Sequence, residues 1–369
     1  MQSVKPLKEK NIDIQILRAI AIIAVIIQHI NGRLPTPQSY SELFKYALFW
    51  TGVDIFFAIS GYLICKTFYR DIEISPTKYE AISSFWRRRV SRLFPAVLAW
   101  VSISVFISLF TTSYPNSDSL LIAKSAITGL LGFSNIYWAS CVQFSLQCGS
   151  ADYNAVTWSL SLEWQLYALS TILIALLGFK RGILILAITA LVFSILPAPS
   201  FSFPWVLRPQ AFAIGAIIYI ATKNSGVSVS APISISMLLV GLLICFLAPL
   251  HIPQPYLIPT ISLGAGICLF SSLSGRALAA LLPSKLLTWI GERSYSIYLC
   301  HLPLILFTRE ISIRLNFNEP TYLNFSISLA IAVFLIAVMS DLSYRFIEIP
   351  FQNKLLKSTD KKSNDLIQS

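Results

Sequence analysis

Apolar runs of roughly 20 residues, separated by short polar segments, dominate this chain, and runs of that length read as membrane helices. They fall at residues 12–30, 43–65, 93–112, 157–177, 183–196, 205–221, 233–250, 256–273, 287–307 and 322–340. A weaker stretch at 120–138 is apolar but carries Lys124 and ends in polar, cysteine-bearing residues, so it reads as a helix lying in, or re-entering from, an external loop. The expected fold is therefore all-α: a polytopic integral membrane protein of about ten transmembrane helices, with both termini on one side. A segment 1–11, a membrane domain 12–351 and a polar tail 352–369 make up the expected organisation.

Composition agrees with the pattern. A mean hydropathy of +0.69, with 55% hydrophobic and 12% charged residues, excludes an ordinary soluble domain. The net charge of +11 would suggest nucleic acid if it formed one surface, but the basic residues sit in clusters between the spans. Placing the N-terminus in the cytoplasm puts 21 of the 28 lysines and arginines inside, as the positive-inside rule requires. An eleventh span at 120–138 would move Lys180 and Arg181 outside and spoil that asymmetry. The first span has the length and basic flank of an anchor, so no cleaved signal peptide is expected. No CxxC pair, metal-ligand cluster or glycine-rich phosphate loop is present. Cys141 and Cys148 share one external loop, where an oxidising compartment would let them pair.

Charged groups inside apolar spans are costly and mark functional sites, so they carry most of the chemical information. Arg18 and His29 lie eleven residues apart on the first span, on one helix face and about 16 Å apart along the axis. A fixed cation thus sits towards the inside and a proton acceptor towards the outside. Asp54 follows on the second span, and Glu163 on the fourth lies roughly 9 Å below its outer end. Both are candidates for the carboxylate that orients His29. Arg87, Arg88, Arg89 and Arg92 form a cytoplasmic cluster among aromatics. Arginine suits bidentate phosphate binding, and an anchor on anionic headgroups is the alternative. Arg208 opens the sixth span, where interfacial snorkelling is its ordinary role. Ser294, Tyr298 and His301 fall at i, i+4 and i+7, on one polar stripe of the ninth span.

In this order the blocks resemble the membrane acyltransferase-3 family over about residues 12–351. The blocks are Gln15-Ile16-Leu17-Arg18-Ala19 leading to His29, Gly52 to Ile64, Arg87 to Pro95, Trp158 to Tyr167, Arg208 to Gly215, Ser294 to Pro303 and Ser343 to Phe351. The resemblance implies transfer of an acyl group, usually acetyl, from cytoplasmic acyl-coenzyme A to a hydroxyl of a cell-envelope carbohydrate, lipid-linked or polymeric, at a bacterial inner membrane. Acyl-coenzyme A would be a co-substrate, and no permanently bound cofactor or nucleic-acid partner is expected.

On this reading His29 is the general base, supported by Asp54 or Glu163, and Arg18, Arg87, Arg88 and Arg92 hold the donor phosphates. Ser294, Tyr298, His301 and Arg208 are candidates for the oxyanion or acceptor side. Direct transfer and an acyl-histidine relay both remain open. Three positions depart from the family pattern. Trp164 replaces an acid that often follows Glu163, and Cys300 and Leu302 replace aromatics that often flank His301, which implies a differently shaped acceptor pocket. The chain ends soon after the last span, so the appended extracytoplasmic domain of some relatives is expected to be absent. The rival reading is a transporter or flippase, for which buried charges are equally expected; that class more often shows two related halves, and none is visible here.

Overall fold

The computed structural model describes residues 11–111, 118–150 and 153–353. Lys5, Lys8 and Lys10, the end of the third expected span at Thr112 and the tail from 354 onwards lie outside the described residues. Within them every regular element is helical: α1 Ile12–Ile30, α2 Gln38–Glu42, α3 Gly52–Ile74, α4 Lys78–Ser108, α5 Ser119–Leu130, α6 Ser134–Gln143, α7 Thr157–Leu177, α8 Phe179–Phe193, α9 Phe203–Val206, α10 Gln210–Thr222, α11 Ala231–His251, α12 Leu257–Ser271, α13 Ser284–Arg314 and α14 Tyr322–Ser343. Short 3₁₀ and π turns follow at Leu43–Lys45 and Tyr344–Glu348.

A helix lies at each of the ten apolar runs. Eight helical segments, counting α9 and α10 as one, are long and apolar enough to cross a bilayer. The other two, α8 and α12, have 15 residues each, about 22 Å, and fall short of a ~30 Å core. Both pack against neighbouring helices, α8 by one face on α7 and α10, and α12 on α11, α10 and α3. The protein is an all-helical, polytopic membrane protein.

Several boundaries differ from the sequence reading, each for a local reason. The second span begins at Gly52, not at residue 43, because the backbone N–H groups of Leu48 and Phe49 bond to Phe246 O and to Gln28 Oε1 in place of a helical ladder. The arginine cluster, expected in a connection between spans, lies on α4, which runs unbroken through Pro95. A Thr77–Glu80 capping pair starts that helix: the Thr77 hydroxyl accepts from Glu80 N and bonds to its carboxylate. The 120–138 stretch is two helices of 12 and 10 residues parted at Gly132, where φ is +75°, and neither can cross a bilayer. Cys141, in the last turn of the second of these helices, forms a disulfide with Cys148 in the loop that follows.

Helices in a bilayer gain no hydrophobic drive from one another, so close packing of small residues must hold them. At the α3–α10 crossing a Cβ on Gly61 would lie 2.0 Å from Phe212 O, and one on Gly215 the same distance from Ala58 O. At the α1–α13 crossing a Cβ on Gly291 would lie 1.9 Å from Gln15 O. That last contact brings the polar stripe of α13 against the Arg18–His29 face of α1.

Candidate active site

Two rungs join those faces. At one, Arg18 Nε donates to Ser294 Oγ at 3.0 Å. At the other, His29 Nδ1 lies 2.9 Å from His301 Nε2. His301 Nδ1 faces the carbonyl oxygens of Tyr298 at 2.8 Å and Ile297 at 3.2 Å. Carbonyls only accept, so Nδ1 of a neutral His301 carries the proton and its Nε2 is an acceptor. His29 must then donate from Nδ1, which leaves the lone pair on its Nε2. A fully buried neutral imidazole thus sets the tautomer of His29, the task the sequence reading assigned to a carboxylate.

The carboxylates are engaged elsewhere. Asp54, in the first turn of α3, takes a two-pronged ion pair from Arg208: Nε to Oδ1 at 2.9 Å and Nη2 to Oδ2 at 3.1 Å. Both residues are fully buried, and the Arg208 guanidinium also lies 4.1 Å from the Trp205 ring centroid and 4.9 Å from that of Trp158. Pro209 explains the geometry. It lacks the N–H that would close the helix onto Trp205 O, and Arg208 Nη1 fills that acceptor at 2.9 Å. Arg208 is therefore half of an internal ion pair and not an interfacial snorkelling residue, and Asp54 is bonded to Arg208 and not to His29. Glu163 instead accepts hydrogen bonds from Ser60 and from Tyr167, one turn further along α7.

Arg18 and Glu163 face a common cavity of about 90 Å³ among α1, α3, α4, α7 and α13, several times what one water needs. Arg89 and Arg92 line it as well, and a second pocket that opens beside Arg88, Ser91 and Gln352 shares those two arginines. The cluster is thus split by its helix. Residues 89 and 92, three apart, face inwards. Arg87 is exposed and lines neither pocket, and Arg88 is ion-paired with Asp71. Arg92 Nε is buried without a hydrogen-bond partner, a donor left for an anion. The sequence reading counted Arg89 in the phosphate-binding cluster without singling it out; its guanidinium stacks over Phe85 and Tyr167 at 5.6 and 5.7 Å. It gave no role to Glu348, a buried carboxylate held by Ser296.

Tyr298 stands between cavity and histidine pair. It lines the cavity, its ring centroid is 5.7 Å from that of His301, and its hydroxyl contacts Ser159 Oγ at 2.6 Å and Val156 O at 3.1 Å. Ser294, bound to Arg18, sits one turn lower, away from the histidines, so of the two only Tyr298 is placed to meet a charge developing beside them. The departures from the family pattern are packed: Trp164 stacks on Trp86 at 5.8 Å, and Cys300 and Leu302 are buried.

The family profile described as an acyltransferase domain matches residues 11–342. The chain belongs to the membrane acyltransferase-3 family. It is similar to O-acetyltransferase OatA of Staphylococcus aureus strain NCTC 8325 / PS 47, with 27% identity covering 93% of this chain and 57% of that protein. A protein of strain MRSA252, whose O-acetyltransferase name is provisional, is 27% identical over 95% of this chain and 59% of its own length. The chain thus spans less than two thirds of the length of these relatives. No solved structure matches it significantly.

Proposed function

We propose that this protein is an O-acyltransferase of the bacterial inner membrane that moves an acyl group, acetyl by analogy with OatA, from cytoplasmic acyl-coenzyme A to a hydroxyl of a cell-envelope carbohydrate. The observation that carries the proposal is an arginine-lined cavity ending at Tyr298, directly beside a histidine pair whose outer member keeps a basic nitrogen. Arg18, Arg89 and Arg92 suit the phosphates of the donor. With the cation and the base about 16 Å apart on α1, an extended pantetheine arm spans the gap.

In the direct reaction His29 Nε2 takes the proton of the acceptor hydroxyl as its oxygen attacks the thioester carbonyl. The Tyr298 hydroxyl proton rotates from Val156 O to the oxyanion, the carbon–sulfur bond breaks, and the proton on His29 passes to the departing thiolate, giving an ester and free coenzyme A. His301 is a positioning residue: it accepts from His29 Nδ1–H throughout and stabilises the imidazolium that forms. The His29–His301 contact favours this route over a transporter, whose substrate needs no tautomer-fixed base.

The test is to supply labelled acetyl-coenzyme A to membranes that contain the full protein and its native envelope polysaccharide. The expected result is label in the polysaccharide and release of free coenzyme A, with one acetyl mass missing per modified unit in a deletion strain. Movement of a glycan or small anion across the membrane with no acyl consumption would establish the transporter reading instead.

A further inference from the structure

The donor cavity has two chemically different ends. At one, Arg89 Nη2 bonds to Thr67 Oγ1 at 3.3 Å, level with the later turns of α3, and Arg92 lies beside it. At the other, Val53 and Phe56 from the first turn of α3 face Leu160 of α7 and Tyr298 of α13. Along α3 the cavity lining runs from Leu63 back to Val53, about 15 Å along the helix axis. A donor whose phosphates lie with the arginines therefore brings its thioester and acyl group to the apolar end, next to the histidine pair.

That end is walled by groups that have little room to retreat. Val53 and Leu160 are buried, and the Phe56 ring meets that of Tyr298 edge-on at a centroid distance of 6.3 Å. Tyr298 is pinned by its bonds to Ser159 and Val156 O, so moving it aside would forfeit buried hydrogen bonds. Close-packed walls of this kind resist added methylenes. Resting on the acyl-transfer reading, we infer that Phe56 and Leu160 set the length of the acyl chain, closing the cavity behind an acetyl group and excluding longer acyl donors.

The experiment measures kcat/KM for acetyl-coenzyme A and for butyryl-coenzyme A with the full-length protein in membranes, comparing wild type with Phe56→Ala and Leu160→Ala. Wild type should favour acetyl by about tenfold or more, and each variant should lower that ratio by about tenfold by admitting butyryl. Phe56→Leu, which keeps an apolar side chain, substitutes for Phe56→Ala if the latter does not accumulate, and should lower the ratio less. Phe56→Trp should leave butyryl excluded. Equal use of both donors by wild type, or an unmoved ratio in the variants of an active protein, would overturn the inference and leave acyl transfer standing. Consumption of neither donor by wild type would overturn both.

Discussion

His29 Nδ1 donates to His301 Nε2 at 2.9 Å, and the backbone carbonyls around His301 Nδ1 determine the direction of that bond. A base whose partner is a neutral imidazole differs from one backed by a carboxylate, because the partner supplies an acceptor without a charge. His301→Ala should lower the rate of acyl transfer by about 10²-fold, the size of a general-base contribution, with little change in KM for the donor. His301→Gln, whose amide oxygen can accept from His29 Nδ1, should recover part of the loss. Equal rates in the two variants would mean that His301 only packs.

Asp54 and Arg208 should behave as a structural pair. Removing either partner leaves a buried, uncompensated charge, so Asp54→Ala and Arg208→Ala should each cost about 3–5 kcal/mol and deplete folded protein in detergent extracts. Asp54→Leu combined with Arg208→Leu should recover folded protein relative to either alanine variant. A stable, monodisperse but inactive Asp54→Ala protein would return Asp54 to the chemistry.

The arginine cluster should divide by helix face. Arg89→Ala or Arg92→Ala should raise KM for acyl-coenzyme A by about 10- to 100-fold, the range expected for hydrogen bonds to a charged group. Arg87→Ala should change it by less than about twofold, since exposed charges contribute little. Kinetics in membrane vesicles with donor supplied on the cytoplasmic side distinguish these outcomes. Equal effects at all three positions would indicate a diffuse electrostatic anchor instead of a site.

The helices were largely legible in the sequence and their partners were not. α1 is readable because one apolar run is bounded by Asn11, whose side chain caps Ile14 N, and by Asn31. The start of α3 was misread because Leu43 to Trp50 is apolar enough to be helical, and what stops it is the bonding of Leu48 N and Phe49 N to distant groups. Arg18 and His29 could be placed on one face by helical geometry alone. The contact to His301 crosses 272 positions and that of Asp54 to Arg208 crosses 154, and no local periodicity encodes either. Arg89 could not be told apart from Arg87 and Arg88 in the sequence, because its face is defined only once the cluster is helical.

Topology is open to a chemical check. The Cys141–Cys148 disulfide belongs to the loop assigned to the outer side by the distribution of basic residues. In cells whose cytoplasmic membrane is intact, a membrane-impermeant maleimide should label a cysteine placed at Leu146, exposed in the loop that the disulfide closes, and a cysteine placed at Lys180 should stay unlabelled. Labelling at Lys180 without cell lysis would reverse the sidedness.

The most direct measurement is acyl transfer from labelled acetyl-coenzyme A to native acceptor by membranes carrying His29→Ala, matched to wild type for inserted, folded protein. Because His29 supplies the only free ring nitrogen of the histidine pair, transfer should fall to the level of membranes without the protein. Transfer retained near the wild-type rate would contradict the assignment of the reaction to the His29–His301 pair.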